Sequence, residues 1–231
     1  MRNRLALGRF LPVVLVAVMS FGFSGHRGLD GFGVRAAIAE SEKAAPPAAT
    51  LEHGQVYLMR GLANVWSRGM DQLGEQLAAK GVRASVYNHS RWRDLAAEAA
   101  EKYSKDKNFP PIILVGHSLG ANAAVLMAEK LGEAGVPVRL IITFDSLSRS
   151  NDLKVKISGN VEEVLNFYKG KGWGLEMIPG KGFKGKIENV DLRGTRGVGH
   201  LNMDKNPELQ ARAVARVMET LGEKPAKAAS N

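Results

Sequence analysis

Hydrophobic residues recur along the central part of the chain in short continuous runs, which alternate with longer segments of helical spacing. The runs predict six strands, near residues 55–59, 83–87, 112–115, 138–144, 164–168 and 187–192. Several are apolar throughout, which is typical of strands buried on both faces of a sheet. Between them, apolar residues such as Met70, Leu73 and Leu77 repeat at helical spacing. This alternation predicts an α/β fold with a mostly parallel sheet of about six strands and helices on both faces.

The two ends of the chain differ in composition from this central part. In residues 1–39, three arginines precede a fourteen-residue apolar run that begins at Phe10, the pattern of an export signal. The run is shorter than the about 20 apolar residues of a membrane-spanning helix, and an uncleaved membrane anchor is the alternative. Residues 40–51 have the composition of a linker and residues 223–231 that of a tail. We therefore expect an exported protein, periplasmic or secreted, with one domain over residues 52–222.

Composition and charge exclude several classes of function. The chain has 231 residues and no cysteine, so disulfide frameworks, thiolate zinc sites and cysteine nucleophiles are excluded. Residues 1–39 hold five Arg and one Asp of a chain whose net charge is +9. Basic residues concentrate again in residues 169–186, where five Lys accompany six Gly, which predicts a solvated loop. Because no nucleic-acid fold signature accompanies them, no nucleic-acid partner is expected.

The candidate chemistry lies in the segment Gly116-His117-Ser118-Leu119-Gly120. The G-x-S-x-G pattern alone is weak evidence. Here it follows the most apolar strand and precedes an Ala-rich helix, which is the setting of a nucleophile elbow. Gly116 and Gly120 allow strand and helix to pack closely, while the Ser118 hydroxyl projects above the sheet. His117 occupies the variable position of the motif, where it is expected to pack beside the elbow.

A serine hydroxyl becomes a nucleophile when a base removes its proton, and an acid has to orient that base. His200 is the single histidine after Ser118, and it lies in the loop between the last strand and the last helix. Asp145 directly follows the strand at residues 138–144 and reaches the same carboxyl edge of the sheet. It is favoured as the acid because it gives the chain order Ser, Asp, His. Three other carboxylates compete with it: Asp191, Glu188 and Asp152.

Residues around this trio complete the predicted site. The oxyanion requires two amide donors, and Leu119 is predicted to provide one. Leu62, in the loop after the first strand, is predicted to provide the other, with Gly61 as an equal alternative. Arg60 and His89 are candidate substrate contacts, although a surface position is more common for such a histidine.

These motifs resemble those of the α/β-hydrolase superfamily, specifically its small lipase-, esterase- and thioesterase-like members, over residues 52–222. The resemblance implies transfer of an acyl group from a small-molecule or lipid substrate to water through an acyl-Ser intermediate. It also implies that no metal or cofactor takes part. Two features depart from the family pattern. The family acid usually follows the strand after the one that delivers Asp145, and many lipases have His-Gly where this chain has Arg60-Gly61.

The sequence leaves three functions open. The favoured hypothesis is a serine hydrolase of carboxylic esters or thioesters. The second is a catalytically silent protein of the same fold, in which residues 169–186 bind an anionic polymer, a lipid head group at a membrane surface, or a partner. The third is an acyltransferase that uses the same residues. The length of the loop after Asp145 predicts no multi-helix cap. The six glycines of residues 169–186 disfavour a helix there and predict a mobile basic rim that binds anionic substrates together with Arg60.

Overall fold

The computed structural model describes residues 54–62, 67–106, 108–147, 154–170 and 174–222. The export signal, the linker and the tail predicted for the two ends lie outside the described residues. The helices of the described part are α1 (Gly69–Ala79), α2 (Trp92–Lys105), α3 (Leu119–Glu133) and α4 (Pro207–Thr220), with short 3-10 helices at His89–Arg91 and Met203–Lys205. The strands are β1 (Gln55–Arg60), β2 (Arg83–Asn88), β3 (Ile112–His117), β4 (Val138–Phe144), β5 (Lys154–Ile157), β6 (Val161–Tyr168), β7 (Glu176–Pro179) and β8 (Lys186–Asp191).

Six of these strands form one parallel sheet in the order β2-β1-β3-β4-β6-β8. They are the six strands that the hydrophobic runs predict, and β4 has the predicted bounds. β6 begins at Val161, earlier than predicted, because Glu162 and Glu163 interrupt its apolar run. Since all six strands run in the same direction, their carboxyl ends meet at one edge of the sheet. The loops that carry Ser118, Asp145 and His200 lie at this carboxyl edge.

The sheet is covered on both faces, as the alternation of elements predicts. On one face, apolar side chains of α1 and α4 pack against the strands, among them Met70, Leu73 and Val217. On the other face, α2 and α3 bury Leu95, Met127 and their neighbours against the same strands. Burial of apolar side chains in two clusters provides the main stabilisation of this three-layer arrangement. Within the described residues, no helix has the length and apolar character required to span a membrane.

A second, two-stranded sheet of β5 and β7 was not predicted from the sequence. β7 lies within residues 169–186, so the prediction of a solvated loop over the whole stretch is wrong. Met177 of β7 is buried in the same cluster as α2 and α3, and this burial explains why four residues of the glycine-rich stretch form a strand. Side chains of Asn166 and Asn189 in the main sheet bond to the backbone of Leu175 and Met177, which fixes β7 to that sheet.

β7 leads the chain from the carboxyl edge of the main sheet to its amino edge. Gly174 approaches Asp145 at the carboxyl edge, whereas Gly185 approaches the backbone of Glu162 near the start of β6. Three exposed lysines therefore lie toward the amino edge, away from Ser118: Lys181, Lys184 and Lys186. The prediction that residues 169–186 form a basic rim around the site is wrong for these lysines, because β8 begins at the opposite edge.

Candidate active site

Ser118 occupies a tight turn between β3 and α3. Its backbone has φ 58° and ψ −122°, a conformation that non-glycine residues rarely adopt. The turn requires glycine on both sides. A Cβ added at Gly116 would lie 2.2 Å from the carbonyl oxygen of Gly120, and one added at Gly120 would lie 1.9 Å from that of Met59. The backbones of β3, α3 and β1 are therefore in direct contact around Ser118.

The structure brings Ser118, Asp145 and His200 together. His200 Nε2 lies 3.1 Å from Ser118 Oγ, and His200 Nδ1 lies 2.8 Å from Asp145 Oδ2. Since a carboxylate oxygen accepts hydrogen bonds, Nδ1 carries the proton, and Nε2 is the acceptor that faces Ser118 Oγ. Ser118 and Asp145 are buried, and the His200 side chain is 17% exposed. This is the arrangement in which a histidine deprotonates a serine while a carboxylate orients the ring.

Asp145 is held rigidly where β4 ends. Its φ of 50° turns the chain out of the strand, and its amide donates to the Phe167 carbonyl at 2.8 Å. The Lys169 amide donates to Asp145 Oδ1 at 3.0 Å, so both carboxylate oxygens have partners. The Lys169 ammonium donates to the carbonyls of Thr195 and Val198 in the loop that carries His200. Lys169 thus connects Asp145 to the loop that carries His200. The sequence did not indicate this contact.

The competing carboxylates have other partners. Asp191 pairs with Arg193, which lowers the pKa of the exposed Asp191 carboxyl through hydrogen bonds. Glu188 on β8 pairs with Arg212 and Arg216 on α4. The hydrogen bond from Arg216 lowers the pKa of the Glu188 carboxyl. Asp152 lies outside the described residues. Of the carboxylates that the structure describes, Asp145 is the one that contacts His200 Nδ1.

The predicted oxyanion donors lie on either side of the serine. Leu119 is the first residue of α3, where backbone amides have no carbonyl within the helix to bond to. A Cβ at Gly61 would lie 3.1 Å from Ser118 Cβ, so the loop that contains Leu62 passes close to the nucleophile. The Gly61 amide donates to Ser67 Oγ at 2.8 Å. Because the Gly61 amide is already bonded, Leu62 is the better candidate for the second donor.

The two candidate substrate contacts have structural partners. Arg60 donates from Nε to Asp71 Oδ2 at 3.0 Å, and a second nitrogen of its guanidinium bonds the other carboxylate oxygen. The expectation that Arg60 offers its charge to an anionic substrate is therefore not supported, because this ion pair already fixes it on α1. His89 is half-buried, and its Nδ1 lies 3.1 Å from the Gly61 carbonyl. His89 thus supports the loop that carries the oxyanion donors.

A second polar cluster lies directly beneath the elbow. His117 is 1% exposed, and its ring centroid lies 5.1 Å from that of His200. His117 Nδ1 lies 2.8 Å from Ser67 Oγ and 3.8 Å from Asp204 Oδ2, and Nε2 lies 2.8 Å from the His200 carbonyl oxygen. Sequence reasoning placed His117 beside the elbow but missed Ser67 and Asp204, which are distant in the chain and belong to no motif.

Burial controls the charge state of this cluster. Loss of solvent lowers the pKa of His117 to about 4 and raises the pKa of Asp204 to about 6. Asp204 Oδ2 accepts from the Gly69 amide at 3.0 Å, whereas Oδ1 has no hydrogen-bond partner within the described part of the chain. At neutral pH, His117 is therefore uncharged. Within the described ranges, no group of three or more acidic or histidine side chains is arranged to hold a metal ion.

Comparison with known proteins gives one family match and several similar solved structures. Residues 63–165, which include β2, β3, the elbow and β4, match the family model of the thioesterase domain. No curated protein sequence matches the chain significantly. Among solved structures, an α/β-superfamily hydrolase from Xanthomonas campestris pv. campestris is similar, with 16% identity, a TM-score of 0.46, and coverage of 72% of this chain and 99% of that one.

Two further solved structures are similar at the same level. A cutinase-like protein from Cryptococcus sp. shares 17% identity, with a TM-score of 0.45 and coverage of 78% of this chain and 100% of that one. The thioesterase domain that cyclises the lipopeptide antibiotic surfactin shares 16% identity, with a TM-score of 0.41 and coverage of 75% and 94%. A parallel sheet with helices on both faces is the arrangement expected of an α/β-hydrolase fold. The family match over residues 63–165 supports an enzyme of the esterase and thioesterase type.

Proposed function

We propose that this protein hydrolyses carboxylic esters or thioesters through an acyl-enzyme intermediate on Ser118. The observation that supports the proposal is the hydrogen-bonded series Ser118 Oγ, His200 and Asp145, with distances of 3.1 Å and 2.8 Å, in a strained turn. Strained backbone of this kind persists when the surrounding structure enforces it, and it is concentrated at functional sites. A protein that only binds a ligand has no need of a serine bonded to a carboxylate-oriented histidine.

The proposed reaction has two halves. His200 Nε2 takes the hydroxyl proton as Ser118 Oγ attacks the acyl carbon, and the negative charge moves to the acyl oxygen. The amides of Leu119 and Leu62 stabilise that oxyanion, and the positive N-terminal end of α3 adds to the effect. The C–O or C–S bond then breaks, and the His200 proton goes to the leaving alcohol or thiol, so that the ring is neutral again. Water repeats the sequence on the acyl-Ser118 and releases the carboxylic acid.

We propose an apolar acyl group, because of the side chains exposed next to Ser118 and His200. Leu62 and Leu201 are the large hydrophobic residues exposed in the described part of the chain, at 63% and 59%. Leu62 lies next to the glycine that approaches Ser118, and Leu201 directly follows His200. Both leucines could contact an apolar acyl chain that reaches Ser118. The substrate class we propose is therefore a neutral ester or thioester with an aliphatic or aromatic acyl chain.

Kinetics of the single and double variants of the nucleophile and base test the proposal. Ser118→Ala and His200→Ala should each lower kcat for a soluble ester by about three orders of magnitude or more, because they take part in the same proton transfer. The double variant should be little worse than either single variant. A fluorophosphonate probe should label the wild type and not Ser118→Ala. Near wild-type hydrolysis by Ser118→Ala would contradict the mechanism, and formation of a new ester from added alcohol would indicate acyl transfer instead.

A further inference from the structure

Three hydrogen bonds connect the loop of the oxyanion donors to the loop of the base through His117. The Gly61 amide bonds to Ser67 Oγ at 2.8 Å, Ser67 Oγ to His117 Nδ1 at 2.8 Å, and His117 Nε2 to the His200 carbonyl at 2.8 Å. Ser67 and His117 are each 1% exposed. Burial therefore excludes water that would compete with these bonds, which strengthens them.

The chemistry of the end groups fixes the direction of all three bonds. A backbone carbonyl only accepts, so His117 Nε2 must carry the proton that bonds the His200 carbonyl. In the neutral ring Nδ1 is then the acceptor, and the Ser67 hydroxyl donates to it. The hydroxyl oxygen in turn accepts from the Gly61 amide. Donors and acceptors match at every step, which requires one tautomer of His117 and one orientation of the Ser67 hydroxyl.

His117 is also covalently adjacent to the nucleophile. It is the last residue of β3, and the Ser118 amide bonds to the Phe144 carbonyl of the neighbouring strand at 3.0 Å. The His117 ring therefore sits on the rigid sheet, while the two segments that it bonds are loops. A hydrogen bond from a rigid element to each loop fixes both loops relative to Ser118 Oγ.

We infer that His117 is a positioning residue. Its ring holds the backbone of His200 directly, and through Ser67 it holds the loop at Gly61, so that both loops keep a fixed position relative to Ser118. This inference rests on the proposed function, since it assigns the purpose of the contacts to acyl transfer. The rate of such a reaction depends strongly on the positions of the reacting groups, because a displacement of about 1 Å can lower the rate by about 100-fold. Within the described residues, His117 forms no hydrogen bond to Ser118 Oγ or to the His200 ring, so loss of its hydrogen bonds should lower kcat and leave KM little changed.

The tautomer of His117 tests the geometry independently of activity. In wild-type protein labelled with ¹⁵N, long-range correlations of the His117 ring should show the proton on Nε2 throughout the neutral pH range. Ser67→Ala should leave that proton in place, because the His200 carbonyl still requires it. A proton found on Nδ1 would overturn the inference, whatever the enzyme hydrolyses.

Three variants test the catalytic consequence. His117→Phe fills the same space without hydrogen bonds and should lower kcat by about 10- to 100-fold with KM within about threefold. His117→Gln retains an amide donor toward the His200 carbonyl and should recover most of that loss. Ser67→Ala should lower kcat by about 10-fold, and in the His117→Phe background it should cost little more, since both belong to one series of bonds.

Ser104→Ala provides the matched control, because Ser104 is an exposed serine on α2 that bonds only within its helix. It should leave kcat unchanged. If His117→Phe fails to fold, Ser67→Ala and the tautomer decide the question. If the wild type hydrolyses esters and a folded His117→Phe or Ser67→Ala variant is equally active, the inference about His117 is overturned and the proposed function is not. Activity that survives Ser118→Ala would instead overturn the proposed function, and it would leave the tautomer result standing.

Discussion

Asp145 combines a left-handed backbone with a fully buried carboxylate that has a partner on each oxygen. Both properties follow from its place directly after β4, where the chain must leave the sheet and turn toward the next element. A turn out of a strand does not by itself require an acidic residue. The need for an acid at position 145 comes from the contact of its carboxylate with His200. At this position the acid reaches His200 from the strand next to the nucleophile strand rather than from the strand beyond.

Substitution of the acid should therefore separate catalysis from folding. Asp145→Asn keeps the size of the side chain but no longer stabilises a protonated His200, so kcat should fall by about three to four orders of magnitude. Circular dichroism and unfolding should remain close to wild type. The control is Asp191→Asn, which removes only a surface ion pair with Arg193. An equal loss of kcat at Asp191 would show that the wrong carboxylate has been assigned.

His117 and Asp204 change the pH dependence of stability in opposite directions. The pKa of His117 is lowered from 6.5 to about 4, so its contribution is present above pH 6.5 and is lost as the pH falls toward 4. The pKa of Asp204 is raised from 3.8 to about 6, so its contribution is present below pH 3.8 and is lost as the pH rises through 6. Between about pH 4 and 6 the two contributions nearly cancel.

Asp204→Asn should reveal this compensation. The free energy of unfolding of the variant, minus that of wild type, should increase by about 3 kcal/mol as the pH rises from about 4 to above 6, because one pKa unit corresponds to about 1.4 kcal/mol. Urea unfolding of both proteins at half-unit pH intervals measures the difference. Any constant cost of burying the new amide shifts the whole curve and leaves its slope unchanged. A flat difference would show that Asp204 titrates normally.

At the scale of elements, the packing of α3 against β1 depends on the lack of a side chain at Gly120. A Cβ there would lie 1.9 Å from the Met59 carbonyl, which belongs to a central strand and cannot move alone. Gly120→Ala should therefore lower the free energy of unfolding by about 1–3 kcal/mol or more. Gly194→Ala is the control, since a Cβ at Gly194 meets nothing within 4 Å. Thermal unfolding of both variants tests the prediction, and equal stability of the two would contradict it.

The elements differ in how far the sequence predicts them. The six main strands are predictable because each is a run of apolar residues long enough to cross a buried sheet. β5 and β7 are not, because KVKI and EMIP contain four residues each and owe their pairing to a buried Met177 and to side chains of Asn166 and Asn189. The same limit applies to the site. The elbow is local in sequence, whereas the contact of Ser67 with His117 exists only once β1 and β3 pair.

At the scale of the whole molecule, three exposed lysines and the proposed nucleophile lie at opposite edges of the main sheet. Lys181, Lys184 and Lys186 lie toward the amino edge, and Ser118 lies at the carboxyl edge. Replacement of all three lysines by glutamine should therefore change kcat/KM by less than about twofold, for neutral and for anionic soluble esters, since charges farther apart than about 10 Å are screened in 0.1 M salt. Assays at low and high salt test this. A selective loss for the anionic ester would return these lysines to the substrate site.

Substitution of the exposed leucines should alter substrate preference. Leu62→Ser and Leu201→Ser should lower kcat/KM for an octanoyl ester by about 10-fold each and for an acetyl ester by less than about threefold, because burial of each methylene contributes about 0.8 kcal/mol. Hydrolysis of a series of acyl chain lengths measures the change. An equal loss for all chain lengths would indicate damage to the oxyanion loop or to the base rather than to acyl binding.

Gly174 has no room for any side chain: its φ is 75°, and a Cβ there would lie 1.9 Å from Asp145 Oδ1 and 2.8 Å from the Lys169 amide nitrogen. This crowding has an evolutionary consequence. Homologues that keep the acid after β4 should retain glycine at the equivalent of position 174, whereas homologues with the acid after β6 should be free to vary there. The pair of positions 145 and 174 should therefore change together during divergence. Any residue other than glycine at this point in a newly sequenced relative would therefore indicate that its acid does not follow β4.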